Sequence, residues 1–241
     1  APDGPDNIRC AVKYILHSDV QSGRQSCGVV VAFQFKIFSA FNVTKVLSYP
    51  PTVVGRSEQL PCPFLSPAFG PIGEISHSSV DIDQWKLNWN QESRFFKEQS
   101  KFEKLKFEAL PRAKLPMVPI LPQYLGNDSG DLIKTWYLEK HPEVSCFILE
   151  GNGNGSISES LKKVVTELKV NRDLAFIRSS KVPTTWCIDD QLNYPGTIGA
   201  RILSSVQARI LSQLTIRNSK SEIAIAVAKT VAKTFETFVP T

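Results

Sequence analysis

The clearest pattern of apolar and polar positions lies between residues 144 and 180. An apolar run at 144–149 is stopped by three glycines at every second position, which is typical of a buried strand that ends in a tight loop. Apolar residues at helical spacing follow from 157 to 168, and 174–177 is another apolar run. The pattern therefore predicts a β-loop-α-β unit with two parallel strands.

Polar residues stand where such a unit would bind a ligand. Ser156 and Ser158 are both candidates for the N-cap of the predicted helix, and Glu159 follows Ser156 at the spacing of a capping box. The second strand is followed by Arg178 and two serines. Since ligands bind outside the carboxyl ends of parallel strands, we expect Ser156 and residues 178–180 to lie at a ligand-binding edge.

The glycine loop has more than one interpretation. A dinucleotide-binding fingerprint needs the spacing G-x-G-x-x-G and an acid after the second strand. Here the third glycine comes one position early, Arg178 follows the strand, and Asp173 precedes it. A tight turn without a ligand is the second interpretation. A third comes from a resemblance that covers most of the chain.

Outside this unit, short apolar runs alternate with loops and one charged stretch. A continuous apolar run at 28–33 predicts a buried strand, and 74–85 alternates as strands of a hairpin do. The charged residues 86–110 are typical of a connection between domains. The other predicted elements are helices at 8–15, 132–140, 207–214 and 223–238 and a strand at 118–125.

Composition excludes several classes of protein. The 241 residues carry a net charge of +5 and 42% hydrophobic residues, as an ordinary globular protein does. The basic residues are largely dispersed and no apolar run is long enough to span a membrane, so we predict no nucleic-acid partner and no membrane segment. The sequence has no signal peptide and no initiator Met, so we expect a soluble processed product or fragment of unassigned compartment.

Cysteine and histidine give no sign of a metal site. The five cysteines are widely spaced, no pair has the spacing of metal ligands, and the three histidines are scattered. Cys146 falls inside a predicted buried strand and is expected in the core. We therefore predict no metal and no cofactor.

Several segments resemble the bacterial-type L-asparaginase family. The glycine loop 151–156 and the Arg-Ser-Ser-Lys-Val sequence at 178–182 match that family's glycine-rich loop ending in Asn or Ser, its helix, and its strand ending R-S-S-R-V. Taken in order, the similar segments extend from Ala1 to about residue 227. Further similar segments are 66–75, which resembles S-x-x-x-G-P-L-G-x-I, and 204–211, which resembles the helix N-P-x-K-A-R-I-L.

The resemblance implies an α/β fold with two domains. We expect a truncated N-terminal α/β domain followed by a parallel-sheet, Rossmann-like C-terminal asparaginase domain. Residues 1–85 would be the remainder of the N-terminal domain and 86–114 the connection. Residues 115–241 would form the C-terminal domain.

The resemblance also implies an activity, the hydrolysis of asparagine, and often of glutamine, to the acid and ammonia. Residues 36–45 resemble the motif x-I-x-x-A-R-D-V-T-K, in which Lys45 takes the place of the family's catalytic lysine. Ser156 takes the place of the Asn or Ser with which a neighbouring subunit binds the substrate. The family uses a nearby Glu as well, and Asp189 and Asp190 are the only acids there. The implied partners are a small amide substrate and further copies of the chain.

Two motifs of the family do not occur in the 241 residues. These are T-G-G-T-I, which holds the nucleophilic threonine, and T-D-T, which helps to activate it. We therefore expect a chain that starts after both motifs and does not hydrolyse asparagine alone. Thr44 or Ser179 could substitute only with a base close in space, because no His or carboxylate stands beside either. The alternative function is a non-catalytic asparaginase-like scaffold for binding or assembly.

The truncation implied by the resemblance predicts self-association. Loss of preceding strands would leave an open sheet edge and apolar surface beside residues 29–33, and such edges pair or aggregate. Sedimentation velocity should therefore show a dimer or a larger species. A compact monomer that persists at high protein concentration would contradict this expectation.

Overall fold

The chain divides into two compact units, Ala1–Glu98 and Gln99–Thr241, and both contain helices and strands. The structure is a computed structural model. In the described part of the chain, no helix is long and apolar enough to cross a membrane. The predicted connection at 86–114, both predicted domain boundaries and the predicted helix at 223–238 lie outside the described residues, which are 4–21, 29–40, 43–46, 62–66, 70–76, 79–82, 115–124, 126, 129–171, 174–183, 186–201 and 203–218.

The first unit contains helices and an antiparallel sheet. Its described elements are α1 (Gly4–Leu16), α2 (Ser18–Gln21), β1 (Val30–Phe33), β2 (Lys36–Ser39), β3 (Thr44–Lys45), β4 (Phe64–Leu65), β5 (Gly73–Ile75) and β6 (Val80–Ile82). The strand order of the antiparallel sheet is β1-β2-β5-β6, and β3 and β4 pair separately. Helix α1 buries Cys10 and Tyr14 against this sheet, whereas its Ile8 and Ile15 are exposed.

The apolar run at 28–33 corresponds to strand β1, but β1 is half-buried rather than buried as predicted. Among the described strands, it lies at the end of the four-stranded sheet and pairs only with β2, which leaves it less covered than a central strand. Val29, immediately before it, is 78% exposed. The predicted hairpin is confirmed by the antiparallel pairing of β5 with β6.

The second unit contains helices and a parallel sheet. Its described elements are β7 (Ile120–Pro122), α3 (residues 129–140), β8 (Cys146–Gly151), α4 (Glu159–Asn171), β9 (Ala175–Ser180), β10 (Ile198–Gly199) and α5 (Ser205–Asn218). The strand order of the parallel sheet is β10-β9-β8-β7, which confirms the predicted β-loop-α-β unit. Helix α3 includes a π-helical segment, Leu132–Tyr137, that the sequence did not predict.

Helices cover both faces of the parallel sheet. On the face opposite to α3 and α4, helix α5 packs against β7, β8 and β9, and Ser212 hydrogen-bonds the Cys146 thiol. Burial raises the pKa of Cys146 to about 12, so this side chain is a neutral core residue, as expected. The main cluster on the α3 and α4 face consists of Leu121, Ile133, Leu138, Val144, Phe147, Leu149, Ile157, Leu161, Val165, Leu168, Leu174 and Phe176.

Truncation of one leucine in this cluster should destabilise the chain strongly. Leu161 on α4 is 1% exposed, so Leu161→Ala should lower the free energy of unfolding by roughly 2–5 kcal/mol. Leu192 is 96% exposed, and Leu192→Ala should change it by less than about 0.5 kcal/mol. Urea denaturation measures the free energy of unfolding of both variants. Similar decreases in this free energy for the two variants would contradict the assignment of the core.

Candidate functional site

The glycine loop after β8 closes on itself as a small hairpin. The N–H of Asn152 donates to the Ser156 carbonyl at 3.0 Å, and the N–H of Ser156 donates back to the Asn152 carbonyl at 2.7 Å. Gly155 has a φ of +81°, and a Cβ there would lie 2.4 Å from the Cys187 Sγ. A glycine is therefore required by both the backbone conformation and the packing.

The side chain of Arg178 contacts this loop and is only 1% exposed. Strand β9 extends to Ser180 because its pairing with β8 continues as far as Gly151. Arg178 and Ser179 are thus buried inside the strand, whereas the sequence placed them beyond its end. The predicted strand was too short because apolar periodicity stops where the polar part of a buried strand begins.

The Arg178 guanidinium is held by neutral oxygen atoms. Its Nη1 donates to the carbonyls of Asn154 and Gly155, both at 3.2 Å, and its Nη2 donates to the Ile188 carbonyl at 2.6 Å. Its Nε donates to the Thr197 hydroxyl at 3.4 Å. Among the described residues no carboxylate pairs with it. Arg178 therefore ties the glycine loop to the 188–197 segment.

Tyr194 joins this arrangement to Ser156. The centroid of its ring lies 3.9 Å from the Arg178 Cζ and 4.6 Å from the Lys162 Nζ. Its hydroxyl donates to the Ser156 Oγ at 3.0 Å. The sequence does not single out Tyr194, because this residue stands 38 positions from Ser156 in a segment without a periodic pattern.

Ser156 is an exposed residue at the carboxyl edge of the parallel sheet, and the N-cap of α4 is a different serine. The Oγ of Ser158 accepts the N–H of Leu161 at 3.2 Å, which identifies Ser158 as the cap. The Ser156 hydroxyl is bonded by Tyr194 instead. Its side chain is accordingly positioned by tertiary contact and remains accessible to a ligand.

Lys45 is the other predicted site residue, and it belongs to the first unit. It is exposed on the two-residue strand β3, where it pairs with Phe64 of β4. Ser156 belongs to the second unit. Each residue is thus on the surface of its own unit, and the catalytic role of Lys45 and the binding role of Ser156 remain predictions.

The two acids near the loop are both engaged in local hydrogen bonds. Asp189 accepts the N–H of Gly199 at 2.5 Å and lies 3.7 Å from the guanidinium of Arg201. Asp190 accepts from the backbone and side-chain nitrogens of Asn193, which hold the pKa of its carboxyl below the ordinary value. Both carboxylates therefore stabilise the folded shape of the 188–201 segment.

Two buried groups beside the loop are unsuited to nucleophilic chemistry. Ser179 is 0% exposed, and its Oγ finds no hydrogen-bond partner among the described residues. Burial raises the pKa of Cys187, an effect that the nearby Arg178 partly offsets. The thiol is neutral as a result, and neither side chain is accessible to a substrate.

The potential metal ligands beside the loop, Cys187, Asp189 and Asp190, do not form a metal-binding cluster. In the part of the chain that the structure describes, no group of three or more His, Cys, Asp or Glu side chains could hold a metal ion. The polar groups around the loop include backbone carbonyls that accept hydrogen bonds, hydroxyls that donate and accept, and the guanidinium of Arg178 that donates. This set suits hydrogen bonding to a small polar ligand at the sheet edge.

The fold and the edge-located loop define an α/β protein with a parallel Rossmann-like sheet and a second, antiparallel unit. The chain is similar in structure to the probable cytoplasmic L-asparaginase from Campylobacter jejuni, with a TM-score of 0.63 and 24% sequence identity. The likeness covers 97% of this chain and 65% of that protein, and it shows that the two share a fold. No protein-family model matches the sequence, and no curated protein does.

The two positive-φ glycines of the loop should differ in their tolerance of alanine. Gly155→Ala adds a clash with Cys187 to the backbone strain and should cost more than about 3 kcal/mol of unfolding free energy. Gly153 has a φ of +48° and no atom within 4 Å of an added Cβ, so Gly153→Ala should cost only about 1 kcal/mol. Urea denaturation compares the two, and equal losses would show that the loop is not packed on Cys187.

Proposed function

We propose that the chain is an L-asparaginase-type amidohydrolase scaffold, which takes asparagine, and glutamine as a second substrate. The observation that carries this proposal is the structural likeness to a probable L-asparaginase over 97% of the chain. It is supported by the exposed Ser156 at the end of a glycine loop on the carboxyl edge of a parallel sheet.

The distribution of the candidate residues supports a homo-oligomeric site. Lys45 and Ser156 are both exposed and belong to different units of the chain. The family resemblance implies the same division, in which the lysine of one subunit meets the serine of its neighbour. In the proposed assembly, Ser156 binds the substrate, and Lys45 takes part in activating a hydroxyl nucleophile.

Amide hydrolysis by this route needs a hydroxyl that attacks the side-chain carbonyl. The C–N bond then breaks with release of ammonia, and water hydrolyses the acyl intermediate to the acid. Neither the family's motif for this hydroxyl nor its motif for activating it occurs in the 241 residues, and the Ser179 hydroxyl is buried. We therefore propose that these residues bind the substrate but hydrolyse it very slowly by themselves.

The absence of both threonine motifs from the 241 residues also favours the second candidate, a non-catalytic asparaginase-like scaffold. A binding or assembly protein needs an accessible Ser156 and a stable sheet edge, but no nucleophile. The two candidates differ in one measurable respect. If the chain contributes to turnover, substitution of Lys45 lowers the activity once a nucleophile is supplied. If the chain is only a scaffold, substitution of Lys45 has no effect on activity.

Purified chain with excess asparagine should release ammonia at a rate several powers of ten below that of a complete acyl-transfer enzyme, because the attacking group is missing. Lys45→Ala should leave this residual rate unchanged. Ammonia is measured with a coupled assay, and Ser156→Ala serves as the matched substitution in the other unit. Rapid turnover that is lost in Lys45→Ala would overturn the prediction.

A further inference from the structure

The hydroxyl of Ser156 has a defined hydrogen-bond polarity. Tyr194 donates its phenolic proton to the Ser156 Oγ at 3.0 Å. A serine hydroxyl has one proton to donate, and its oxygen accepts from its neighbours. With its oxygen engaged by Tyr194, Ser156 can direct its own proton towards solvent. The Ser156 proton is thus available to a ligand acceptor atom, while Tyr194 already occupies one of the two acceptor positions of the Oγ.

The ring of Tyr194 is fixed by contacts with two cations. It is partly buried against the core cluster, the Arg178 Cζ lies 3.9 Å from its centroid, and the Lys162 Nζ lies 4.6 Å from it. Arg178 is in turn anchored by three backbone carbonyls and the Thr197 hydroxyl. The core cluster and the anchored Arg178, rather than the exposed glycine loop, thus fix the position of the Tyr194 phenolic oxygen.

The charges near Ser156 favour an anion over a cation. Arg178 has no paired carboxylate among the described residues, and Lys162 pairs with the exposed Glu159 at 2.6 Å. Asp190 is the acid whose carboxyl interacts electrostatically with Arg178, and it is itself exposed and hydrogen-bonded by Asn193. Arg178 is 1% exposed, so solvent screens its charge less than it screens the charges of these exposed acids, and this difference favours a ligand carboxylate.

We propose that Tyr194 is a positioning residue that fixes Ser156 as a hydrogen-bond donor, so that the site selects ligands presenting a carboxylate oxygen. The proposal rests on the proposed function of Ser156 as a substrate-binding group. Beyond that function, it assigns Tyr194 as the residue that orients the Ser156 hydroxyl, and the carboxylate as the part of the substrate that this hydroxyl contacts. Arg178 takes part by holding the Tyr194 ring.

Three small ligands separate the possible contacts. L-asparagine has a carboxylate and an amine, succinamate retains the carboxylate alone, and β-alaninamide retains the amine alone. NMR titration of the full chain with each ligand gives three affinities per variant. Tyr194→Phe keeps the ring and its cation contacts but removes the hydroxyl, which isolates the hydrogen bond to Ser156.

Tyr194→Phe should weaken binding of L-asparagine and of succinamate by about three- to tenfold and leave β-alaninamide unchanged. Ser156→Ala should weaken the same two ligands by about tenfold or more, because a hydrogen bond to a charged acceptor is lost. Lys163→Met, which removes an exposed cation from the same helix, is the matched control and should change none of the three.

The outcomes distinguish this inference from the proposed function. If the wild-type chain binds neither L-asparagine nor succinamate, the proposed function is wrong and the inference fails with it. If the wild-type chain binds both and Tyr194→Phe binds them equally well, only the inference is overturned. Equal weakening of all three ligands would also overturn it, since a general structural defect would not select the carboxylate.

A second variant tests the anchoring of the ring without any ligand. Arg178→Lys keeps the charge but cannot reach the carbonyls of Asn154, Gly155 and Ile188 together. Amide hydrogen exchange at Asn152 and Ser156 should become faster by about tenfold or more, whereas Tyr194→Phe should leave it unchanged. Unchanged exchange in Arg178→Lys would show that the guanidinium does not hold the loop.

Discussion

One buried guanidinium determines the geometry of the candidate site. Taking an unpaired cation out of water costs several kcal/mol, which the protein offsets with charge-assisted hydrogen bonds from Arg178 to three carbonyls and with the face of the Tyr194 ring. Without Arg178, the buried Gly155 carbonyl would lose its donor. The shape of the glycine loop and the placement of Ser156 thus depend on a side chain that is itself buried.

The parts of the fold set by short-range patterns could be predicted from the sequence. Apolar periodicity identified β8, α4 and β9, and capping chemistry limited the start of α4 to two serines. The burial of Arg178 could not be predicted, because polar residues inside a strand give the same pattern as a strand end. The contact of Tyr194 with Ser156 could not be predicted either, since it arises only when the 188–197 segment folds over the loop.

Scaffold and chemistry are separable in this chain. The structural likeness to an L-asparaginase concerns the fold of the backbone. In this fold, each of the two units has a core of buried apolar side chains. The candidate chemical groups, Lys45 and Ser156, are exposed residues on a short strand and a loop. Side chains in such positions can change without loss of the core, which is why one fold can serve different activities.

The partners of Arg178 also bear on how the chain folds. The four oxygen atoms that it contacts belong to residues only 10, 19, 23 and 24 positions away along the sequence. The entropy of closing a loop grows with the logarithm of its length, so the entropic cost of forming these contacts is similar and low. The loop, Arg178 and the 188–197 segment are also synthesised as one continuous stretch. All the hydrogen bonds of Arg178 therefore draw on residues 154–197, which leave the ribosome before helix α5 does.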